Sequence, residues 1–555
     1  MKRKIITLVS GAALCLGLAA LVSNIKPTPI SANAGTLYSG GSGTENDPFL
    51  ISTPEDWYAL ADATQSEDEN APQEGLYFEL TNDITVTKGL GPVTGTTDVR
   101  PFAGTFNGNN YSITLNASGM GSRNGLFLKN TGLIKNLVRK GKNSGAYYQG
   151  GIVAFNAGTI ENCINYADIA ISGYAAGGIA AWNCDSNYAG KIINCVNYGD
   201  IYTLGNNQTA SGYPFYSDSQ CIGGISGYVK NLKGVEFNNC VNYGTIRGLY
   251  GVAGIVGYAV SGTSSNYITF SNCANAGEIK LFDSNNDTYA YSKLTDANKN
   301  KCGYIGGIAG MGGSYHQYIN CVNIGTITGP NSNQYGTGGI AGSIFSANLI
   351  DGCINLGDIH GEQSIGGIVG RVSRNAKAII NNTFSAGAVD AVNASGGFVG
   401  ASSGATNVIQ NSYSASKHSA KFYGYTSYTL TNNTEYTISD SALEVLREIQ
   451  LFECEQVQDN ASKQAKYEAL NEALNNLTGQ DDLVVLEREW KVGTTYMAAA
   501  NYVRSYCSYS VSTIFGSGLL STTNFDNKLL LIILLSVLSS AGIIAAIVVN
   551  KRKHN

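Results

Sequence analysis

Glu161 to Ile169 reads ENCINYADI, and the phrase returns as INCVNYGDI (193–201), NNCVNYGTI (238–246), SNCANAGEI (271–279), INCVNIGTI (319–327) and DGCINLGDI (351–359). Six cysteines, Cys163, Cys195, Cys240, Cys273, Cys321 and Cys353, therefore share one register, which Leu137, Thr383 and Ser412 continue in weaker copies. Just before them stand Asn136, Asn162, Asn194, Asn239, Asn272, Asn320, Gly352, Asn382 and Asn411. Asn replaced only by Gly marks a left-handed backbone corner, because these two residues tolerate positive φ best. Three residues before the cysteine register lies Ile134, Ile160, Ile192, Phe237, Phe270, Tyr318, Ile350, Ile380 or Ile409. Six after the clear copies lies Ile169, Ile201, Ile246, Ile279, Ile327, Ile359 or Val389. Both positions require burial.

Upstream of each phrase is a Gly-Gly-Ile-x-Gly segment, beginning at Gly150, Gly177, Gly223, Ala253, Gly306, Gly338, Gly366 and Gly396. Units of about 26 to 33 residues, apart from two with insertions, thus offer three short strands, one Asn corner and no helical period. One unit cannot close a core, but stacked copies bury a continuous apolar column. The pattern predicts an all-β fold, a parallel β-helix solenoid of about nine to eleven coils; at about 4.8 Å per coil its length is on the order of 45 to 50 Å. Stacked Asn162, Asn194, Asn239, Asn272 and Asn320 are expected to form an amide ladder along the axis.

Helices are expected at both ends of the rod. Thr53-Pro54-Glu55-Asp56 combines a cap, an N1 proline and an acidic first turn, with Trp57, Leu60 and Ala61 as the apolar face of an N-terminal plug. Asp440 to Val457 and Ser462 to Leu477 read as amphipathic helices, followed by LVVLEREW, in a C-terminal cap region. The domain reading is an N-terminal cap with degenerate coils over 35–124, repeats over 125–430 and the helical cap over 431–504.

The chain has 555 residues, of which 43% are hydrophobic and 14% charged, which excludes a disordered chain or a coiled coil. Lys2, Arg3 and Lys4, the apolar stretch Ile5 to Val22 and small residues ending Ala32-Asn33-Ala34 read as a secretory signal, 1–34, cleaved before Gly35. Cys15 follows Leu14 rather than a small residue, which disfavours a lipid anchor. Leu529 to Val549 holds 21 uncharged residues and is followed by Lys551, Arg552 and Lys553. The expectation is a membrane helix over 528–550 with a cytoplasmic tail, 551–555, behind a Ser-, Thr- and Tyr-rich stalk, 505–527. The body is then extracellular on a single-pass cell-membrane anchor. Eight basic residues lie in these ends, so the part from Gly35 to Asn527 carries 27 − 40 = −13, which argues against binding nucleic acid through bulk charge.

The stretches GGSGTENDPFLISTPEDWYALA (40–61), FAGTFNGNNYSITL (102–115) and NGLFLKNTGLIKNL (124–137), with the GGIVG and INC repeats, resemble bacterial surface proteins with GLUG-type repeats. Such repeats also stand beside the catalytic domain of Gram-positive immunoglobulin A1-cleaving metallopeptidases. The resemblance spans roughly residues 38 to 415 and implies a right-handed β-helix displayed on the cell surface, often in adhesion. It carries over no catalytic residue. The histidines are His316, His360, His418 and His554, and none belongs to a His-Glu-x-x-His motif, so the peptidases' zinc chemistry is not expected.

Eleven cysteines remain after signal cleavage. A disulfide chain or metal column competes with simple stacking of small apolar side chains; Leu137, Thr383 and Ser412 in the same register, and the parallel aim of stacked side chains, favour stacking. Free thiols outside a cell suit an anaerobe. The turn register Asp168, Asp200, Thr245, Glu278, Thr326, Asp358, Ala388 places Asp168 and Asp200 about one coil apart, near the separation of a retaining glycosidase's carboxyl pair. Interruption by Thr and Ala favours a solvated turn instead, and no cofactor or metal is called for.

Two units carry insertions before the Gly-Gly strand, Thr203 to Cys221 and Leu281 to Cys302, two turns apart on one edge. Their Tyr213, Phe215, Tyr216, Tyr289 and Tyr291 stand among Asn and Asp, a composition suited to glycans or to host or neighbour-cell proteins; the bland alternative folds these loops on themselves. Cys221 and Cys302 are placed to bridge if the loops lean together. The expected function is a non-catalytic binding or adhesion scaffold, with a polysaccharide-cleaving enzyme and a purely structural envelope protein as rivals.

Overall fold

A computed structural model describes residues 37–65, 74–90, 101–120, 123–183, 189–203, 221–230, 234–281, 302–330, 335–373, 378–402, 407–416, 429–454, 460–486, 489–492 and 495–498. The signal segment, the stalk, the 528–550 stretch, the tail, and Tyr213, Phe215, Tyr216, Tyr289 and Tyr291 lie outside the described residues. Among the described residues no helix is long and apolar enough to cross a membrane.

One coil shows the construction. Tyr148–Gly150, Val153–Asn156, Thr159–Glu161, Ile164–Asn165 and Asp168–Ile171 follow one another as short strands, and each pairs in parallel with its counterpart one repeat later. A coil therefore contains five strands where the sequence suggested three; the two-residue Ile164–Asn165 segment is too short to carry a period of its own. The five columns, in this order, are termed the glycine, aromatic, corner, asparagine and isoleucine columns. The corner column is a 13-stranded sheet and the aromatic column a nine-stranded one, so about nine coils are complete and the earlier turns contribute fewer strands.

The corner is set by the backbone conformation foreseen from Asn and Gly. Asn136, Asn162, Asn194, Asn239, Asn272, Asn320, Asn382 and Asn411 all have φ between 49° and 55°, and Gly352 has φ 65°. Asn432 adds a further copy at φ 53°. The exposed ladder is present in part: Asn162 Nδ2 donates to Asn136 Oδ1 at 3.1 Å, and Asn194 and Asn239 each donate to the preceding corner at 3.0 Å. At Asn272 it shifts, donating instead to Asn238 Oδ1 at 3.2 Å.

A second ladder runs inside the rod. Asn165, Asn197, Asn242, Asn275, Asn323 and Asn355 are fully buried. Each of the first five passes its Nδ2 to the next residue's Oδ1 at 2.8–2.9 Å. Each Nδ2 also reaches the carbonyl two residues ahead, closing the local turn. A buried amide is tolerated only when so satisfied. The ladder also explains the second glycine of each Gly-Gly-Ile, since a Cβ on Gly178, Gly224 or Gly254 would overlap the carbonyl oxygen of Asn197, Asn242 or Asn275.

Around the ladders, both predicted apolar rows are buried, as are the six stacked cysteines and the isoleucines of the glycine segments. Phe237, Phe270 and Tyr318 stack at 5.3 and 5.0 Å. The six ladder cysteines, Cys221 and Cys302 are each buried and form no disulfide. Those of the ladder donate to carbonyls of their own and the preceding coil, as Cys240 Sγ does to Ile192 O at 3.4 Å.

Helix α1, Pro54–Gln65, sits where its signals placed it. Thr53 Oγ1 accepts from the Asp56 amide at 3.2 Å, and Asp56 Oδ2 accepts from Ser52 N and Thr53 N, both at 2.9 Å. Trp57 is fully buried edge-on against Phe106 and Phe127 and donates its Nε1 to Lys88 O at 2.9 Å.

Two of the C-terminal helices lie close to their expected bounds, and a third, short one follows. Helices α2 (Asp440–Cys454), α3 (Asn460–Asn475) and α4 (Gln480–Leu486) precede a hairpin, Glu489–Val492 with Thr495–Ala498. They pack along the late coils: Ala442, Leu446 and Ile449 join Ile354, Leu356, Phe384, Ala386 and Ala415 in one cluster. Arg447 fixes the contact by donating Nε to Leu356 O at 2.8 Å and Nη2 to Asp358 Oδ1 at 2.7 Å. The reason is in the strand period: with Asn355 and Ser385 turned inward, Ile354 and Phe384 face out and need cover. The last corner strand, Thr429–Thr431, remains exposed.

Candidate aromatic binding face

In the aromatic column, Phe155, Trp182, Tyr228, Tyr258 and Met311 occupy one register on successive coils. Phe155, Trp182 and Tyr228 are half-buried, whereas Tyr258 and Met311 are buried. Ring centroids lie 5.8 Å apart for Phe155–Trp182, 4.8 Å for Trp182–Tyr228 and 5.7 Å for Tyr228–Tyr258. The neighbouring glycine column adds Tyr148, 4.9 Å from Phe155 and 5.4 Å from Trp182, and Tyr174 beside it at 5.9 Å. Further along, Tyr250, Tyr304 and Tyr335 form a second knot, with Tyr304 and Tyr335 at 4.4 Å. The Arg123 guanidinium lies 5.3 Å over the Phe155 ring.

Burial raises the hydroxyl pKa of Tyr250 and Tyr335 and pushes that of Tyr304 up to about 12, so these phenols stay protonated at neutral pH. The face thus joins apolar rings to neutral hydrogen-bonding phenols. The residues follow each Gly-Gly-Ile segment at a fixed distance, in GGIVAF, GGIAAW, GGISGY, AGIVGY and GGIAGM. That fixed spacing is the signal in the sequence for this row.

The insertions are rooted on this face. One spans the gap between Ile201–Thr203 and Cys221–Gly223, the other that between Ile279–Leu281 and Gly303–Gly306, and the two roots are two coils apart. Cys221 packs in the same cluster as Tyr250 and Tyr258. The bridge considered for Cys221 and Cys302 is not formed, and burial pushes the Cys302 thiol up to about 12. Each is buried in its own coil, and the two coils lie two turns apart.

The turn carboxylates have structural partners. Asp168 Oδ1 accepts from the Asp200 amide at 3.2 Å, and Asp200 Oδ1 accepts from the Thr245 amide at 3.0 Å, while Asp200 Oδ2 meets Arg247 at 3.3 Å. Asp358 accepts from the Ala388 amide at 2.8 Å as well as from Arg447. Each acid therefore ties its coil to the next. His360 Nδ1 lies 3.0 Å from Asp390 Oδ2 on the adjoining coil, and both are partly exposed. No group of three or more metal-ligating side chains occurs among the described residues.

A third aromatic set differs in geometry. Tyr166, Tyr198 and Tyr243 stack at 4.9 Å with interplanar angles of 7° and 4°, so neighbouring rings cover each other's faces.

No known protein-family profile matches the chain, and no curated protein sequence does. One solved structure is similar in outline. It is that of a proposed immunoglobulin A1 protease from Bacteroides ovatus, at 15% identity and a TM-score of 0.30, covering 72% of this chain and 87% of that one.

Proposed function

We propose that the chain is a bacterial surface rod of the GLUG-repeat type, a right-handed β-helix that binds or adheres without catalysis. In this reading residues 1–34 direct secretion and 528–550 hold the protein in the cell membrane, with the solenoid outside. The observation that carries the binding role is the half-buried run Phe155, Trp182, Tyr228 on one flank of a rigid coil stack. Exposed contiguous aromatic surface is costly in a soluble protein and commonly marks a contact site. Asp168 and Asp200 support coil-to-coil cohesion in this account, because backbone amides already engage them.

The test is a panel of polysaccharides and glycans presented to the purified full-length protein in detergent, scored for retention and for polymer shortening. Retention with intact polymer is expected. Shortening that Asp168→Asn abolishes would establish the polysaccharide-cleaving alternative; neither outcome would favour a protein partner or a structural envelope role. Protease shaving of intact cells, releasing solenoid peptides, checks the location.

A further inference from the structure

We infer that one lateral face of the solenoid pairs, antiparallel, with the same face of a second copy of this chain, so that rods held on opposing cells clasp each other. This deepens the surface-rod reading above and rests on it for the cell-to-cell role, though not for the pairing itself.

The first argument is charge. From Val99 to Ile160 the sequence holds seven basic residues and no acidic one, 7 − 0 = +7, within a body of −13. From Thr431 to Leu486 it holds three basic and eleven acidic residues, 3 − 11 = −8. The first stretch winds the early coils; the second forms helices α2 to α4 and the turn before them. Each end of the rod is therefore the electrostatic complement of the other. Lys140 and Lys142 are exposed and enter no ion pair among the described residues. Asp83, whose carboxyl feels Lys140, and Asp168, which faces Lys142 in register, already accept from the Ser112 and Asp200 amides. On the acidic end Glu444, with 62% of its side chain exposed, and Glu472 face solvent.

The second is register. Asn165 pairs with Arg139 and Asp168 with Lys142, so Lys140 stands beside Tyr166 on the next coil. The same row runs on through Tyr198 and Tyr243 to Leu356, Ala386 and Ala415. Helices α2 to α4 cover it at these last three residues, whereas Tyr166 is 47% exposed. The face is thus a step, raised over the late coils by about one helix diameter, ~10 Å, and low over the early ones. Two antiparallel copies set each raised part over the other's low part.

The third is where the centre falls. Lys142 and Asp358, to which Arg447 fixes helix α2, share one turn register six coils apart, about 29 Å at about 4.8 Å per coil. The midpoint is the coil of Tyr243, so the parallel rings of Tyr166, Tyr198 and Tyr243 lie at and beside the two-fold axis. Tyrosines at the centre and charges at the rim are the usual make-up of a protein–protein interface. One patch serves both copies, so the contact closes at two chains. Copies on one membrane project in parallel and do not form it; copies on facing membranes meet antiparallel.

The test is sedimentation equilibrium of full-length protein in a non-ionic detergent at about 0.1 M salt, where a Debye length of about 10 Å leaves contact pairs intact. A reversible dimer is expected, and nothing larger. Lys140→Glu with Lys142→Glu, and separately Glu444→Lys with Glu472→Lys, should each raise the dissociation constant by about tenfold or more. The second pair makes the protein less acidic, so relief of bulk repulsion alone would tighten the dimer instead. Mixing the two variants should restore a dimer with one copy of each, because every reversed end then meets its complement. Lys191→Glu, a charge reversal on the corner column, should change nothing, and circular dichroism shows that all variants are folded. A monomer at about 100 μM, growth beyond the dimer, or a mixture that does not recover overturns the inference. If the protein stays monomeric and Lys140→Glu with Lys142→Glu removes binding of dextran sulfate, the face serves an anionic polymer and the inference falls. If it stays monomeric but retains glycans in the panel above, the inference falls while the scaffold reading stands. If the dimer follows the charge pattern while protease shaving of cells releases no solenoid peptides, the pairing stands and the surface reading falls.

Discussion

Replacing Asn242 with Ala should damage the rod far more than replacing Asn239, three residues earlier in the same repeat. Asn242 is fully buried. It accepts from Asn197 Nδ2 at 2.8 Å and donates to Asn275 Oδ1 and Gly244 O, both at 2.9 Å. Three hydrogen bonds at a net value of about 1 kcal/mol each, with the Asn275 oxygen then deprived of its donor in a dry interior, give a loss of about 3–5 kcal/mol. Asn239 makes one exposed amide bond, to Asn194, and supplies a left-handed corner at φ 53°. Asn239→Ala should therefore cost about 1–2 kcal/mol, mostly backbone, and Asn239→Gly less still. Gly352 already serves at that corner three coils later. A stacked array opens repeat by repeat, so one melting temperature is a poor measure. Hydrogen exchange read by mass spectrometry is better, because the Val241 and Tyr243 amides donate to the preceding coil at 3.0 and 2.8 Å and report that coil's opening. Asn242→Ala should speed their exchange by about two orders of magnitude or more. Equal acceleration by Asn239→Ala, or an Asn242→Ala loss below about 1 kcal/mol, would refute the assignment of stability to the inner ladder.

Other perturbations separate the remaining parts. Cys240→Ser should be tolerated within about 1 kcal/mol in urea denaturation, because Ser412 and Thr383 occupy the same register and bond to Gln410 O and Asn381 O at 2.7 and 2.8 Å; native peptides bearing the ladder cysteines should resist alkylation until the protein is unfolded. His316 is buried with its pKa pushed down to about 4 by desolvation, so the unfolded chain binds the extra proton between that value and about 6.5. Stability from this residue is full above about pH 6.5 and declines by roughly 3 kcal/mol as pH falls to about 4, a slope that His316→Phe should remove from a series of denaturation midpoints. Arg447→Ala removes bonds to Leu356 O and Asp358 and should raise hydrogen exchange in helix α2 by about tenfold while the coils keep their protection; equal acceleration in the coils would show that the helices stabilise the rod as a whole.

What could be read from the sequence follows from which features repeat and face inward. The Asn–Gly exchange at the corner has one physical meaning, positive φ, and it located every corner from Asn136 to Asn411. The isoleucine rows and the Thr53–Asp56 cap were legible for the same reason, since burial and capping each demand a narrow set of side chains. Asn165 and its equivalents were visible in the repeat, but nothing in sequence alone distinguishes a buried amide ladder from an exposed one. The packing of helices α2 to α4 along the late coils was not legible, because an amphipathic face says that cover is provided, not what is covered. The described aromatic face is built from residues inside the repeat itself, and the insertion aromatics lie outside the described residues.

The rod also contains its own control for that face. The register that holds Phe155, Trp182, Tyr228 and Tyr258 begins at Lys129 and continues, after Met311, as Ser343, Arg371 and Ala401. These later coils keep the same strand pairing and the same buried Ile340, Ile368 and Phe398 beneath. The solenoid therefore also closes with a small, polar or charged side chain in this register, Ser343 being buried with its Oγ accepting from the Gly336 amide at 3.1 Å. Aromatic rings there are not a requirement of folding, and half-exposed ones carry a solubility cost. Their restriction to adjacent coils, beside the roots of both insertions, is the pattern on which the proposed binding role rests. Grafting the later pattern onto the earlier coils, as Trp182→Ser with Tyr228→Arg, should then leave the rod folded and abolish binding. Unfolding of that variant would instead make the aromatic row part of the core.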